Sequence, residues 1–286
     1  MPLNTQQHTI LIAGCGDVGS TLGQRLASQG HKVIGLRRNI NQLPQGIQGI
    51  SVDLTQIDDL QAKLQGIHCD IVVYAAASPN FSPEGYQQTY VDGLNNLLRS
   101  LSTPPKHLLF VSSSGVYHQD DDSLVNENSP CLPRSFSGKI MCDAEKTALA
   151  APYPTTVVRF TGIYGPGRNH LLKRVKRGDV APATPRQFTN RIHRDDCAGV
   201  LAHLITKALG GEKLETIYLA TDNTPATMYD VTHWMAQQLG IKVLSESATR
   251  RAGSKRCSNQ RIKESGYVFQ YPSYKEGYAA LLKTDP

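Results

Sequence analysis

A glycine-rich turn near the N-terminus carries the clearest chemical signal in the sequence. Residues 14–19, Gly-Cys-Gly-Asp-Val-Gly, directly follow the apolar run 9–13 and precede a stretch with apolar residues at helical spacing. In that context Gly14 permits a tight turn, Gly16 lets the backbone approach a pyrophosphate, and Gly19 allows close packing of helix on strand. The pattern therefore predicts a dinucleotide site, with the N–H groups of the first helical residues, Asp17 and Val18, facing the diphosphate.

The end of the second predicted strand indicates which dinucleotide would bind. An acidic residue there would hydrogen-bond a ribose 2′-hydroxyl, whereas this sequence has Arg37 and Arg38. A guanidinium fits a 2′-phosphate by charge and fork geometry, so NAD(P) is the predicted cofactor and NADP is favoured over NAD. The alternative is a pair of solvated arginines at the start of a loop.

Two further segments are candidates for cofactor contact. The pair Asp53-Leu54 follows a predicted third strand and would place a carboxylate near the adenine amine, or would cap a loop. The run Ala75-Ala76-Ala77 ends a fourth strand with small side chains, which leave room for the cofactor or simply pack closely.

The order of elements predicts the fold that would position these residues. Apolar runs at 9–13, 32–36, 71–75, 107–111 and 155–160 alternate with helical patterns, which is typical of β-α-β units and a doubly wound parallel sheet. We predict a Rossmann domain over residues 1–163, with its sheet completed by about residues 190–220. Residues 164–286 are predicted to form a smaller substrate lobe interleaved with the first.

Composition excludes several other classes of protein. The chain of 286 residues is 40% hydrophobic and carries a net charge of +6, but its basic segments, such as 173–177, lack interleaved aromatic residues and accompany no nucleic-acid-binding motif. The six cysteines have no metal-site spacing, so no metal is predicted. No apolar run is long enough to span a bilayer and the first residues do not resemble a signal peptide. We therefore expect a cytoplasmic protein without nucleic-acid or membrane partners.

Several motifs in sequence order resemble the short-chain dehydrogenase/reductase superfamily, in particular its extended branch of NAD-dependent epimerase/dehydratases. Besides the glycine turn and the acidic residue after the third strand, the matches are Val111-Ser-Ser-Ser-Gly-Val-Tyr117, Arg159-Phe-Thr-Gly-Ile-Tyr-Gly-Pro-Gly167, Ile192-His-Arg-Asp-Asp196 and the tail from Ser258 to Tyr267. The resemblance implies a Rossmann fold, a nicotinamide cofactor and a small-molecule substrate such as a nucleotide sugar. It also implies homodimers built on the helical stretches 86–101 and 136–149.

The resemblance assigns catalytic residues only in part. Ser113, three residues before Val116, matches the family serine that polarises the substrate oxygen, and its neighbour Ser114 is the substitute. Ser112 falls among the cofactor contacts. The family's Tyr-x-x-x-Lys does not match. Alignment on Ala144-Glu145 places Ser137 at the tyrosine and Met141 at the lysine, whereas alignment on Lys139 places Ser135 at the tyrosine.

A second departure is Tyr90, which stands where the family has asparagine; both departures resemble the atypical (YeeZ-like) branch of the superfamily. A different group would then move the proton, and Tyr164 is one candidate, although its motif is mostly structural in the family. His193, before paired aspartates, suggests either a relay or a hydrogen-bonded structural element.

Two functions remain open from the sequence. The first is an oxidoreductase- or epimerase-type enzyme with a non-standard catalytic centre. The second is a non-catalytic Rossmann protein that senses NADP(H) and reports to a partner, which an intact cofactor turn beside an absent Tyr-Lys pair would also predict.

Overall fold

The computed structural model describes residues 6–248 and 253–284. Its strands are β1 (Thr9–Ala13), β2 (Lys32–Arg37), β3 (Ile47–Ser51), β4 (Ile71–Tyr74), β5 (His107–Ser113), β6 (Leu124–Val125), β7 (Thr155–Phe160), β8 (Gly162–Tyr164), β9 (Asp179–Val180), β10 (Phe188–Thr189), β11 (Arg191–His193), β12 (Ile217–Ala220), β13 (Ala226–Thr227), β14 (Ser245–Glu246) and β15 (Arg256–Cys257). Its α-helices are α1 (Asp17–Ser28), α2 (Ile57–Leu64), α3 (Pro83–Tyr86), α4 (Gly93–Ser100), α5 (Phe136–Leu149), α6 (His170–Lys176), α7 (Arg194–Leu209), α8 (Met228–Leu239), α9 (Gln260–Glu264) and α10 (Tyr274–Thr284).

A seven-stranded parallel sheet has the strand order β12-β7-β5-β4-β1-β2-β3. Strand β1 pairs with β2 and β4, so the chain winds outward from β1 in one direction and then in the other. The central strands are buried along their length, as their runs of Ile, Leu and Val predict for a sheet covered on both faces. The predicted doubly wound α/β fold is confirmed.

The chain packs as two compact units. The first comprises Met1–Val116, Cys131–Arg159 and Ala198–Tyr218, and the second comprises Tyr117–Pro130, Phe160–Cys197 and Leu219–Pro286. The chain thus passes between the units several times. The predicted boundary after residue 163 separates a Rossmann domain from a substrate lobe, and it stays a prediction.

Helix α1 packs on the sheet through one apolar face in the first unit. Val18, Leu22 and Leu26 are buried at the i, i+4, i+8 spacing expected of an amphipathic helix. In the second unit, α8 begins with a reciprocal capping box between Thr227 and Asp230 and ends at Gly240, whose φ of 63° closes the last turn. These local signals explain why the helix occupies residues 228–239.

The predicted long helix after β4 is not a continuous α-helix. Between α3 and α4 the chain forms a π-helix over Gln87–Asp92. The Tyr74 hydroxyl, at the end of β4, donates to the carbonyl oxygen of Thr89 inside this segment. In a π-helix the hydrogen bonds join residues i and i+5, so a carbonyl can lack the partner that an α-helix would give it. A buried donor such as the Tyr74 hydroxyl stabilises a carbonyl of this kind.

Candidate functional site

The glycine turn fits tightly between the ends of β1, β2 and β4. Gly14 has a φ of +87°, and a Cβ at this position would collide with the backbone of Ala76. The amides of Gly14 and Cys15 donate to the carbonyl of Leu36 at 3.2 and 3.1 Å, which ties the turn to the end of β2. A residue with a side chain cannot occupy position 14 without moving β4.

The other two glycines of the turn differ in their surroundings. A Cβ at Gly19 would lie 2.6 Å from the Gly14 carbonyl oxygen and 3.2 Å from Ile12 Cγ2, so α1 approaches β1 at van der Waals distance. At Gly16, by contrast, a Cβ would meet no atom within 4 Å among the residues described. The space above Gly16 is therefore open where a pyrophosphate would approach the turn.

The start of α1 provides donors for an anion. Gly16 is the N-cap and supplies no side chain to the helical amides of Asp17 and Val18. Such amides carry the positive end of the helix dipole, and α1 is twelve residues long. The Asp17 side chain stands in the same first turn and reduces this positive potential.

Arg37 lies beside the glycine turn. Its Nη1 donates to the Cys15 carbonyl at 3.3 Å and its Nη2 donates to the Gln42 side chain. Arg37 is half-buried, whereas Arg38 is exposed and its carbonyl accepts a hydrogen bond from Ser51 Oγ at 2.8 Å. The structure thus places one of the two predicted guanidiniums against the turn and leaves the other on the surface.

The segment after β3 forms a capped turn. Asp53 Oδ1 accepts hydrogen bonds from the Thr55 amide at 3.0 Å and from Thr55 Oγ1 at 2.8 Å. The Leu54 carbonyl accepts from Asn96 Nδ2 at 3.0 Å, which anchors the turn to α4. These contacts match the loop-capping alternative for Asp53, and contact with an adenine stays a prediction.

The tip of β4 adjoins the glycine turn. The Ala75 amide donates to the Ala13 carbonyl at 2.8 Å, Ala76 lies against Gly14, and Ala77 is exposed. The Ser78 amide then donates to the Tyr90 hydroxyl at 3.4 Å. Tyr90, which replaces the family asparagine, therefore contacts the backbone that follows the three alanines.

Ser112 belongs to a buried polar network. Its Oγ donates to Glu145 Oε1 at 2.5 Å, and Glu145 accepts two hydrogen bonds from Arg159, from Nε at 2.9 Å and from Nη2 at 2.6 Å. Ser112, Glu145 and Arg159 are all buried. The Ser112 hydroxyl proton is thus held by Glu145, and the contact with a cofactor predicted for this residue stays a prediction.

Ser113 is the last residue of β5 and is half-buried. Its Oγ accepts from the Gly115 amide at 3.1 Å, which leaves the hydroxyl proton for another acceptor. Ser114 begins the short 3₁₀ turn that follows and is also half-buried. Either hydroxyl stands at the carboxyl end of a parallel strand, the edge where ligands of such sheets bind.

Helix α5 begins where the family tyrosine would stand. Ser135 is the N-cap and accepts from the Gly138 amide at 3.1 Å, and Ser137 Oγ lies 3.1 Å from Ser135 Oγ. Met141, at the position of the family lysine, is buried. In either alignment a serine of this capping cluster stands at the phenol, and in the alignment on Ala144-Glu145 the buried Met141 thioether stands at the ammonium.

Tyr164 lies in the core of the second unit. Its ring is stacked on Tyr278 with centroids 4.5 Å apart and makes an edge contact with His193 at 5.2 Å. Only 4% of Tyr164 is exposed, and burial raises the pKa of its hydroxyl. A proton donor needs access to its substrate, so this placement favours the structural interpretation of the motif.

The paired aspartates and the basic segment are also built into this unit. Buried Asp196 accepts from the Tyr267 hydroxyl at 2.7 Å and from the Gln270 and Tyr271 amides at 2.8 and 2.9 Å. Arg174, within the basic segment, is buried and donates to Asp179 at 2.9 Å. Both are structural contacts, which fits the interpretation of the His193 motif as a hydrogen-bonded element.

Sequence reasoning missed the Glu145–Arg159 pair. Glu145 served only as an alignment landmark and Arg159 only as the start of a turn motif. A charged residue in an otherwise apolar strand, Thr-Thr-Val-Val-Arg-Phe, is the signal that would have found it, because a buried arginine requires an anionic partner.

The chain is similar to one protein family and to several solved structures. A family model for the NAD-dependent epimerase/dehydratase family matches residues 10–226, more than half of the chain. The chain belongs to this family. No curated protein sequence matches it.

Solved structures cover nearly the whole chain. A protein from Methylobacillus flagellatus, provisionally designated an NAD-dependent epimerase/dehydratase, is 40% identical over 98% of this chain and 99% of its own, with a TM-score of 0.83. The UDP-glucose 4-epimerase of Thermotoga maritima, solved with UDP-glucose, is 17% identical over 96% and 99% of the two chains, with a TM-score of 0.80. The UDP-glucose 4-epimerase of Thermus thermophilus, in complex with NAD, is 19% identical over 94% and 96%, with a TM-score of 0.77.

Neither a metal site nor a membrane-spanning helix is found in residues 6–248 and 253–284. No group of three or more His, Cys, Asp or Glu side chains is arranged to hold a metal ion. No helix in these ranges has the length and hydropathy needed to cross a membrane.

Proposed function

We propose that this chain is an NADP(H)-dependent enzyme of the oxidoreductase or epimerase type that acts on a nucleotide-linked sugar or a similar small polar substrate. The contact between Arg37 Nη1 and the Cys15 carbonyl, 3.3 Å long, carries the proposal for the cofactor. It sets a permanent positive charge beside the turn whose amides would bind the pyrophosphate. The position is one where the acidic residue of an NAD-specific relative would instead repel a 2′-phosphate.

The residues of the first unit fit such a cofactor. Gly16 leaves space for the pyrophosphate, the start of α1 offers N–H donors, and the small side chains at the tip of β4 leave room along the turn. When bound, the nicotinamide supplies hydride transfer. Ser113 would orient and polarise the substrate oxygen through its hydroxyl proton, while one lone pair of its oxygen accepts from the Gly115 amide.

The substrate class rests on the relatives. The Thermotoga maritima structure holds UDP-glucose and the Thermus thermophilus structure holds NAD, both on the fold that this chain shares. The family as a whole is NAD-dependent, so the preference for NADP is the part of the proposal that belongs to this chain.

A charge reversal at Arg37 tests the cofactor. In Arg37→Asp the affinity for NADPH should fall about tenfold to a hundredfold more than that for NADH, because charge-assisted hydrogen bonds to the 2′-phosphate are lost. Lys32→Asp, at the opposite end of β2, makes the same change of charge and should affect both cofactors little. Equal losses for NADPH and NADH in Arg37→Asp would overturn the assignment.

The non-catalytic alternative is favoured by one observation, the Ser137 and Met141 that replace the phenol and ammonium on α5. The two functions are separated by following NADPH absorbance, together with chromatographic analysis of the sugar, with UDP-sugars and simple carbonyl compounds, in the wild type, Ser113→Ala and Ser114→Ala. The sugar analysis is required because an epimerase regenerates its cofactor in each turnover and causes no net change in absorbance. Substrate-dependent change that disappears in one serine variant supports the enzyme. Tight cofactor binding with no response to any substrate supports a sensor of the NADP(H) state.

A further inference from the structure

Tyr90 connects the π-helix to the segment that follows β4. Its hydroxyl oxygen accepts a hydrogen bond from the Ser78 amide at 3.4 Å, and the residue itself lies within the π-helix over Gln87–Asp92. Short π-helical segments of this kind are frequent at functional sites. A phenol can donate one hydrogen bond besides those that it accepts, and the Tyr90 proton has no acceptor among the described residues. Since the side chain is only half-buried, this unused donor is available to a ligand.

The Ser78 segment adjoins the glycine turn. Gly14 follows β1, and β1 pairs in parallel with β4. Ala76, two residues before Ser78, lies so close to Gly14 that a Cβ on this glycine would be 2.3 Å from Ala76 Cα. A dinucleotide on the turn would therefore pass beside the chain that holds the Tyr90 hydroxyl.

The same segment leaves the sheet on the side of the candidate serine. Strand β4 pairs in parallel with β5, with Tyr74 opposite Phe110. Ser113 lies three residues past Phe110. Ser78 lies four residues past Tyr74, so it follows the same end of the paired strands. Ligands of a parallel sheet bind at this edge, and the Tyr90 hydroxyl is thus held where Ser113 would meet a substrate.

The two neighbouring phenols are placed differently. The Tyr74 side chain is buried, and its hydroxyl donates to the Thr89 carbonyl oxygen. The Tyr86 ring contacts the rings of Tyr90 and Phe136, with centroids 5.1 and 5.5 Å apart, and its hydroxyl forms no hydrogen bond within the described chain. Of these three tyrosines, Tyr90 is the one that combines a polar contact beside the strand end with an unused proton.

We propose that Tyr90 is the proton donor for carbonyl reduction, in place of the phenol that α5 lacks; this role rests on the proposed function. The carbonyl carbon of the substrate accepts a hydride from the reduced nicotinamide, which is thereby oxidised, and the carbonyl π electrons move to the oxygen. That oxygen takes the Tyr90 hydroxyl proton, so the product is an alcohol, and water returns a proton to the phenolate. Ser113 holds the same oxygen through its own hydroxyl.

The surroundings of Tyr90 suit an acid better than a base. Burial raises the pKa of its hydroxyl, against the opposing effect of the hydrogen bond from Ser78, so the phenol keeps its proton near neutral pH. It can still protonate a developing alkoxide, which is a far stronger base than a phenolate. Oxidation of an alcohol would require the phenolate. We therefore expect carbonyl reduction near neutral pH and alcohol oxidation that accelerates as the pH rises.

Removal of the hydroxyl alone tests the assignment. In Tyr90→Phe the rate of NADPH-dependent reduction of diacetyl, methylglyoxal or benzaldehyde should fall about 10²- to 10⁴-fold, as is typical when a general acid is lost, while the Kd for NADPH changes less than about threefold. Tyr86→Phe is the matched control, because it removes a phenol from the same ring stack and should change neither quantity. An unchanged rate in Tyr90→Phe, or equal losses in the two variants, would overturn the role of Tyr90.

A second measurement needs no substrate. In protein labelled at the tyrosine Cζ atoms, the NMR signals of Tyr90 and Tyr153 are assigned by their absence in the corresponding phenylalanine variants. The oxidised nicotinamide carries a positive charge that the reduced ring lacks, so the Tyr90 signal should differ between the NADP⁺ and NADPH complexes. Tyr153 precedes β7, at the opposite edge of the sheet, and its signal should stay the same. Identical Tyr90 signals in the two complexes would overturn the donor role alone, whereas a protein that binds neither dinucleotide would overturn the proposed function and the donor with it.

Discussion

Gly19 of α1 and Gly14 of the preceding turn are in direct backbone contact, close enough that a Cβ on Gly19 would lie 2.6 Å from the Gly14 carbonyl oxygen. The contact sets the distance between the first helix and β1. A Cβ on Gly16, by contrast, would meet no atom within 4 Å among the described residues, so the two glycines have different roles. The fold requires glycine at position 19, whereas a dinucleotide that approaches the turn would require glycine at position 16.

Alanine substitutions at the two glycines should therefore have opposite consequences. Gly19→Ala forces α1 away from β1 and should lower the free energy of unfolding by about 1–3 kcal/mol. Gly16→Ala should change stability by less than about 1 kcal/mol, because its Cβ points into open space, yet raise the Kd for the dinucleotide at least about tenfold. Urea denaturation and a cofactor titration measure the two effects. Normal cofactor affinity in Gly16→Ala would contradict the assignment of the turn.

Removal of Glu145 should be strongly destabilising. Glu145→Ala leaves the buried Arg159 guanidinium and the Ser112 hydroxyl without their acceptor, and we expect a loss of about 3–5 kcal/mol. Asp143→Ala on the same helix is a matched control, because it removes an exposed ion pair with Lys146 and should cost less than about 1 kcal/mol. Comparable losses in the two variants, measured by chemical denaturation, would show that the buried network contributes little.

Tyr74→Phe tests the hydroxyl that contacts the π-helix. The variant leaves the Thr89 carbonyl without this donor, and we expect a loss of about 1–3 kcal/mol in the free energy of unfolding. Tyr153→Phe is the control, since the buried Tyr153 hydroxyl has no hydrogen-bond partner in the residues described and its removal should be neutral or stabilising. A neutral Tyr74→Phe would mean that the π-helix is stable without this hydrogen bond.

Asp222, in the second unit, should make stability depend on pH. Burial raises the pKa of its carboxyl from 3.8 to about 7, and its Oδ2 has no hydrogen-bond partner among the described residues. Between about pH 4 and pH 7 the folded state therefore holds a proton that the unfolded state has lost. The contribution of this group to the free energy of unfolding then falls as the pH rises, by up to about 1.4 kcal/mol per pH unit, and becomes constant above pH 7.

Asp222→Asn should remove this dependence. The free energy of unfolding of Asp222→Asn minus that of the wild type, measured with urea at pH 5, 6, 7 and 8, should increase up to pH 7 and then stay constant. Other titrating groups cancel in that difference. Parallel pH profiles would show that Asp222 titrates normally in the folded protein.

Strong local periodicity made much of the fold predictable. The run Thr-Thr-Val-Val-Arg-Phe gave the bounds of β7, and the helical stretch 136–149 gave those of α5, because each element has its own local pattern. The cofactor turn was equally local. Its neighbours on β2 and β4 followed from the rule that the carboxyl ends of parallel strands meet at one edge of the sheet.

Contacts between distant residues were not predictable in this way. The pairing of Arg159 with Glu145 joins a strand to a helix, and no spacing rule links them. Ser112 was assigned to the cofactor by its position in a motif, which stays a prediction, but that motif could not predict that its hydroxyl donates to Glu145 on α5. Arg174 belongs to the basic segment 173–177, and the sequence did not predict that Asp179 would hold it inside the second unit.

The π-helix over Gln87–Asp92 has a consequence for how this region tolerates insertions and deletions. A segment with hydrogen bonds from i to i+5 contains one residue more than an α-helix of similar length. The extra residue rotates the helical segment before it by about 100° relative to the segment after it. The rings of Tyr86 and Phe136 can then meet, 5.5 Å apart, while Leu94 and Leu97 stay buried. Deleting a single residue here would restore a regular helix and would turn either Tyr86 or the pair Leu94 and Leu97 away from the residues it now contacts.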